Sequence, residues 1–299
     1  MADASRKTTS RRDLSRNPRF EQVSPEVGEL DEAAVEEGMA ENPDDTMALL
    51  ADLTSATDPK LRALAQRLAG RLMLDVSRRG PVKPRGVGKL VEKPYRPDGG
   101  DLDLDASIDG IVEARAATCA IDPHRLRIRG WTRPGTALCL MVDRSGSMGG
   151  KPLATSAVAA AAVAWRAPDD YSVLAFSKDV VAAKSQDIDK PADRVVNDVL
   201  SLRGFGTTDV AGVLRAAQAQ LSRSSSARRI AVLLSDCRAT VDGDVAAAAA
   251  GLDELVIIAP EGDSDEAQAL AHRIGARMTT VSGPAQVAEA LARVLEEHL

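Results

Sequence analysis

Three uninterrupted apolar runs punctuate the chain: Ala137–Val142 (ALCLMV), Ile230–Leu234 (IAVLL) and Leu255–Ala259 (LVIIA). Short runs with no polar alternation predict strands buried on both faces, as in a parallel sheet. Two further segments, Tyr171–Phe176 and Val180–Ala183, are separated by Ser177-Lys178-Asp179. That spacing predicts an antiparallel hairpin at a sheet edge. Arg277–Val281 reads as a weaker last strand. Helical spacing lies between and after these runs. Val210, Val213, Leu214, Ala217 and Leu221 share one helix face, and Val287, Leu291, Val294 and Leu295 mark another near the C-terminus. An alanine-rich helix begins near residue 150, with Lys151-Pro152 in its first turn. Strand and helix in alternation predict an α/β fold: a doubly wound, mainly parallel six-stranded sheet with helices on both faces, over residues 131–299. Ligands of such sheets bind at the carboxyl ends of the strands.

The chain before residue 131 has a different grammar. Ten of the fifteen prolines lie before residue 135. Residues 5–20 carry Arg6, Lys7, Arg11, Arg12, Arg16 and Arg19, while residues 21–45 carry ten Asp or Glu and no Lys or Arg. Like-charge blocks with few large apolar groups do not offset the entropy of chain ordering, so residues 1–45 are expected to form a disordered charged tail. Leu49, Leu50, Leu53, Leu61, Leu64, Leu68 and Leu72 then predict two short helices broken at Asp58-Pro59. Residues 77–100 are basic and rich in Pro and Gly, which predicts a linker or extended arm. A helix over 106–117 with Asp105 as its cap completes a helical and irregular region over 46–130.

Composition removes several function classes. Of the 299 residues 44% are apolar and 27% charged, the range of a folded chain. The longest charge-free stretch, Pro152–Trp165, is shorter than the ~20 residues that span a bilayer. The N-terminus MADASRKTTSRR has no apolar core, so no secretory signal is visible and a cytoplasmic location is expected. Aromatics at 2% and a net charge of −6 argue against nucleic acid. Lys60–Arg96 holds eleven Lys or Arg, but no aromatics interleave in the pattern of a nucleic-acid surface, and a solvated face is expected. Cys119, Cys139 and Cys237 form no C-x-x-C pair, and each is expected as a small buried side chain in a reducing compartment.

Candidate chemistry sits where the topology puts it. The first buried strand runs into Asp143-Arg144-Ser145-Gly146-Ser147-Met148, an Asp and two hydroxyls at alternating positions in a tight loop. Gly204-Phe205-Gly206-Thr207-Thr208-Asp209 precedes a helix, and Ser235-Asp236 ends the second buried strand. Hard oxygen donors of this kind suit Mg²⁺ or Mn²⁺.

These three elements, in this order and spacing, resemble the von Willebrand factor A domain with its metal-ion-dependent adhesion site, over about residues 134–299. The resemblance implies that Asp143, Ser145, Ser147 and Thr208 supply metal ligands, with Thr207 as the alternative threonine. It implies that Asp236 acts mostly through water. Cys237 departs from the pattern, where glycine is common. The implied metal is Mg²⁺, with Mn²⁺ possible, and about four protein oxygens leave part of an octahedral shell to water or to a partner's carboxylate. No catalytic residue and no organic cofactor is implied. Within the family the chain is similar to bacterial cytoplasmic proteins of the CoxE-like type. The short acidic segment Asp101-Leu102-Asp103-Leu104-Asp105-Ala106-Ser107 resembles one found upstream of the domain in that group and in metal-chelatase subunits. Such proteins often work beside MoxR-type AAA+ ATPases, which implies an adaptor in the activation, maturation or metal loading of client proteins.

Other motifs fit less well. Ser145-Gly146-Ser147-Met148-Gly149 is one residue from a G-x-S-x-G elbow, and Ser147, Asp236 and His272 would make a serine-hydrolase triad. That scheme leaves Asp143 and Thr208 unexplained. A third reading keeps the fold as a scaffold with an idle metal site. Gly150-Lys151 lacks the flanking residues of a phosphate loop, and Asp101–Val112 lacks the Gly and Glu of a calcium loop.

Overall fold

The structure is a computed structural model that describes residues 8–78, 89–95, 101–119, 121–132, 135–144, 149–204 and 206–296. They fall into two compact units, one within 1–83 and 136–298, the other within 84–135.

The first unit opens with five helices: α1 (Arg11–Leu14), α2 (Phe20–Val23), α3 (Glu32–Glu41), α4 (Pro43–Leu53) and α5 (Pro59–Ser77). The break expected at Asp58-Pro59 is there. Asp58 caps α5 by accepting from the N–H groups of Lys60 and Leu61, and Pro59 takes the first turn, where no N–H is required.

The second unit holds β1 (Lys89–Pro94), β2 (Asp101–Leu102), α6 (Leu104–Ala116) and β3 (Arg127–Thr132). Its three strands form an antiparallel sheet in the order β1-β3-β2. Asp103, rather than Asp105, caps α6 and accepts a 2.6 Å bond from Arg129 Nε.

The first unit resumes with β4 (Thr136–Asp143), α7 (Gly150–Arg166), β5 (Tyr171–Phe176), β6 (Val180–Lys184), α8 (Ala192–Leu200), α9 (Val210–Leu221), β7 (Arg228–Leu234), α10 (Val245–Ala249), β8 (Glu254–Pro260), α11 (Asp265–Ile274), β9 (Arg277–Val281) and α12 (Pro284–Glu296). The six strands form one sheet in the order β6-β5-β4-β7-β8-β9, parallel except for the β5–β6 hairpin. This is the doubly wound α/β sheet expected from the apolar runs. Leu140 of β4 pairs with Val173 of β5 and Val232 of β7, so β4 is flanked on both edges as well as both faces. Alternate residues build two cores. Leu138, Leu140, Val142, Ile230 and Val232 belong to one core with α7, α8 and α12, which α4 and α5 continue from the other side of those helices. Ala137, Cys139, Met141 and Leu233 pack with α9, α10 and α11. No helix among the described residues is long and apolar enough to cross a membrane.

Four expectations are corrected. Residues 8–45 are not a disordered tail; Leu14, Phe20, Val23 and Val35 are buried against α4 and its neighbours. The two charge blocks neutralise one another and α5: Arg19 pairs with Glu41 at 2.5 Å, and Arg71 with Glu32 at 3.3 Å. Trp131 and Thr132 belong to β3, so the large sheet starts at Thr136 rather than at residue 131. Part of the expected linker over 77–100 is strand β1; residues 79–88 and 96–100 of it, and residues 1–7 of the tail, lie outside the described residues. Among the cysteines, Cys139 and Cys237 are buried as expected, but Cys119 is exposed, because it follows α6 rather than lying in a strand.

Candidate metal centre

The strand order places a crevice. From β4 the chain winds through β5 to β6 on one side, and from β7 through β8 to β9 on the other, so the switch point lies between β4 and β7. Asp143 is the last residue of β4, and Ser235-Asp236 directly follow β7.

The side chains meet there. Asp143 Oδ2 accepts a 2.6 Å bond from Ser235 Oγ, which itself accepts the Cys237 N–H at 2.9 Å. Asp236 turns back on its own backbone and accepts the Arg238 N–H at 3.0 Å through Oδ1. The Cys237 thiol beside them is buried and is pushed up to about 12 by burial and then by the negative charges of Asp236 and Asp143. One thiol therefore feels both candidate acids. Cys237 holds φ at +63°, the left-handed region. Glycine takes that conformation freely, whereas a side chain there costs about 1–2 kcal/mol.

Thr208 reaches the same end of the sheet from the α8–α9 connection. It is buried, and its neighbour Thr207 is exposed. The Thr208 N–H donates to Thr240 Oγ1 at 2.7 Å, and its carbonyl accepts from the N–H groups of Thr240 and Val241. The threonine is thus bound to the loop that follows Asp236. Asp209 donates its N–H to the Ser177 carbonyl and caps α9 through the Gly212 N–H. Arg144 donates its N–H to the Phe176 carbonyl at 2.9 Å. The segments after β4, β5 and β7 and the one before α9 are therefore tied into one rim.

Ser145 and Ser147 lie outside the described residues. The chain is described again from Gly149, which opens α7. Asp143, Thr208 and Asp236 are all at the carboxyl end of the sheet. His272, the third member of the alternative triad, is an exposed residue in the last turn of α11.

Sequence reasoning gave three participants no role. Ser235 stands in the expected Ser-Asp pair, and its bond to Asp143 follows from the pairing of Val142 with Leu234 one step earlier. Thr240 and Asp52 gave no local signal; Asp52 accepts the Gly150 N–H from 98 positions upstream.

The donors are carboxylate and hydroxyl oxygens, a set that fits a hard divalent cation such as Mg²⁺ or Mn²⁺. No group of three His, Cys, Asp or Glu that could hold a metal occurs among the described residues. A centre here would depend on hydroxyls as much as on its two acids.

No protein family matches the chain, and no curated protein does. Solved structures are similar to it. One is a von Willebrand factor type A protein from Catenulispora acidiphila, 17% identical with a TM-score of 0.42 over 55% of this chain and 42% of that one. BatB from Bacteroides thetaiotaomicron is 13% identical with a TM-score of 0.42, over 55% of this chain and 98% of that one. The manganese-loaded TRAP protein of Plasmodium vivax is 15% identical with a TM-score of 0.39, over 52% of this chain and 71% of that one. Of these three, the Catenulispora acidiphila protein is the one described as von Willebrand factor type A. The likeness covers about half of the chain.

Proposed function

We propose that this chain is a metal-dependent protein-interaction adaptor rather than an enzyme. Its site would be of the von Willebrand factor A type, with Asp143, Ser145, Ser147, Thr208 and Asp236 holding Mg²⁺, or Mn²⁺ in its place. The observation that supports this most is that Ser235 binds Asp143 from the position next to Asp236 at the β4–β7 crevice, with the Thr208 loop bonded to the segment after Asp236.

When bound, the metal supplies a Lewis-acidic docking point for a carboxylate oxygen. The chain's own groups do the rest. Ser235 holds one oxygen of Asp143 and so fixes the carboxylate plane. The Arg238 N–H does the same for Asp236. Thr240 fixes the backbone of Thr208. The ligand set has fewer protein oxygens than an octahedral shell needs, so an Asp or Glu of a protein partner completes it. A MoxR-type AAA+ ATPase is the partner class we propose, with this chain presenting its docking face during activation, maturation or metal loading of a client. We place it in the cytoplasm.

Calorimetric titration with Mg²⁺ and Mn²⁺ tests the site. The wild type should bind one ion. Asp143→Ala should weaken binding at least about tenfold, and Asp236→Asn clearly less if it acts through water. Capture of a co-expressed MoxR-type ATPase should vanish in EDTA. A wild type that binds neither ion at millimolar concentration, or capture that ignores both EDTA and Asp143→Ala, would sink the proposal.

A further inference from the structure

The helix of the second unit presents its apolar side to solvent. The inner face of α6 is made of small residues. Ser107 and Ala114 are buried, and a β-carbon at Gly110 would lie 2.8 Å from the β-carbon of Arg125. Leu104, Ile108 and Val112, by contrast, are 62%, 55% and 59% exposed. Spaced four apart, they line up as one stripe of about 12 Å along the helix. A surface helix ordinarily does the reverse and turns its large apolar residues to the core. Rotation of α6 cannot hide the stripe, because that rotation is fixed. Arg127 donates its N–H to Ser107 Oγ at 2.8 Å, and the Ser107 hydroxyl donates to the Arg127 carbonyl at 3.3 Å. Asp103 caps the first turn and is held by Arg129. An apolar stripe kept in water on a fixed element marks an interaction surface.

The charges beside the stripe select its occupant. Each apolar residue is followed by an acid: Asp105 after Leu104, Asp109 after Ile108 and Glu113 after Val112. One position is about 100° around the helix, so these carboxylates form a second row along one edge of the stripe. All of them are exposed. Glu113 pairs with Arg125, and Asp105 lies 3.7 Å from Arg129, so the row is only partly neutralised by exposed pairs of little strength. Arg115, in the last turn, marks where the stripe ends. We propose that α6 docks an amphipathic helix of another protein, one whose apolar stripe is edged by Lys or Arg. Two such helices side by side bury both stripes and lay the basic edge on the acidic row, as flanking charges do in a coiled coil. A second copy of this chain fits worse. An antiparallel pair of α6 helices puts both acidic rows on the same side of the seam, where like charges repel. A membrane fits worse too, because anionic headgroups would face the same acids. The surface uses none of the candidate metal ligands and stands apart from that reading.

Fluorescence anisotropy of labelled synthetic peptides with the full-length chain, in EDTA, tests this. One peptide sets leucines at helical spacing to make a stripe and fills the rest with lysine. A second has the same composition in an order that makes no stripe. A third keeps the stripe and replaces lysine by glutamate. The striped lysine peptide should saturate at one per chain, and the other two should bind at least about tenfold more weakly. Ile108→Ser should weaken the striped lysine peptide about tenfold, as loss of a central anchor does. Asp109→Lys should weaken it about threefold. Val27→Ser, which removes an exposed valine of the first unit, should change nothing. Equal binding of the two lysine peptides overturns the proposal, since charge alone would then suffice. Equal binding of the glutamate peptide overturns it as well, and so does unchanged binding in Ile108→Ser or Asp109→Lys. A dimer in sedimentation that Ile108→Ser dissolves would make a second copy the occupant. Flotation with phosphatidylglycerol vesicles that Ile108→Ser abolishes would make it a membrane. Either result overturns the proposal. If Ile108→Ser does not fold, Leu104→Ser carries the same test with the same outcomes. Because every arm runs in EDTA, failure of the metal site leaves these results unmoved.

Discussion

The two faces of the six-stranded sheet are covered to different depths. One face meets α9, α10 and α11, and beyond those helices the chain is exposed. Arg215, Gln218 and Ala219 of α9, for example, face out. The other face meets α7, α8 and α12, and over these lies a second layer made by α4 and α5. The composition of α7 follows from that position. Leu153–Ala164 is buried without interruption, and no polar stripe divides it. A helix apolar on every side belongs between two layers, and a helix with one apolar stripe belongs at a surface. Small residues let α4, α8 and α12 approach α7 closely. The N-terminal helices are therefore part of the core that supports the candidate site.

The largest test of this difference is truncation. A chain starting at residue 58 lacks α1–α4 and leaves bare the part of α7 that α4 covers. It should lose its cooperative melting transition or aggregate. A truncated chain that melts at the wild-type midpoint would show that the second layer is an appendage. Leu50→Ala is the single-residue version. Leu50 is 1% exposed, and its truncation should cost about 2–5 kcal/mol in urea unfolding. The loss should appear in one transition shared by the whole unit, not in a separate early phase.

The two faces also differ in how far they can be read from sequence. The sheet and the thin face are legible because their signals are local. The β4, β7 and β8 runs are unbroken, the Tyr171–Lys184 hairpin is compact, and the α9 stripe recurs at helical spacing. The placement of Asp143, Thr208 and Asp236 at the carboxyl end of the sheet is legible for the same reason, since each stands beside an apolar run or helix. The second layer is not legible. Leu14, Phe20, Val23 and Val35 recur at no single period, and they become a core only when α1, α2 and α3 pack on one another and on α4. The acid run over 21–45 looks repulsive until Glu32 meets Arg71 and Glu41 meets Arg19. The small sheet is hidden too: β1 and β3 carry charges and a proline and pair across more than thirty positions. Asp52 is an ordinary helix residue until the fold delivers Gly150 to it.

A smaller effect distinguishes a bond between layers from a local one. Asp44→Ala on the thick face and Asp244→Ala on the thin face each remove a carboxylate from a helix start. Asp44 accepts from Ala285 of α12, whereas Asp244 accepts from Ala247 three positions on in its own helix. Each should cost about 1 kcal/mol. Combined with Leu50→Ala, the Asp44 loss should fall short of additivity, because a loosened α4 no longer holds its carboxylate in place. The Asp244 loss should add in full. Equal additivity at both sites in urea unfolding would contradict the coupling of the layers.

The smallest effect is one of sign, and it sets Asp52, in the seam between the layers, against Asp170 at the start of β5. Burial pushes the Asp52 carboxyl above the ordinary carboxylate value, and the Gly150 N–H only partly offsets it. Burial would also raise Asp170, but bonds from Gln186, Ser224 and Ser226 and the charge of Lys184 hold it below that value. Stability rises with pH wherever the unfolded chain binds more protons. The folded chain keeps the Asp52 proton longer, so this group's contribution is full below the ordinary carboxyl value and is lost as pH rises through the raised one. Asp170 behaves oppositely: its contribution is full above the ordinary value and is lost as pH falls through the lowered one. Urea unfolding in EDTA between about pH 3 and pH 6 spans the ordinary carboxyl range. The wild type should lose ground to Asp52→Asn as pH rises over that interval. It should gain on Asp170→Asn over the lower part of the same interval. Two difference curves of the same slope would mean that the seam does not desolvate Asp52, and the thick face would then be open to water where α4 meets α7.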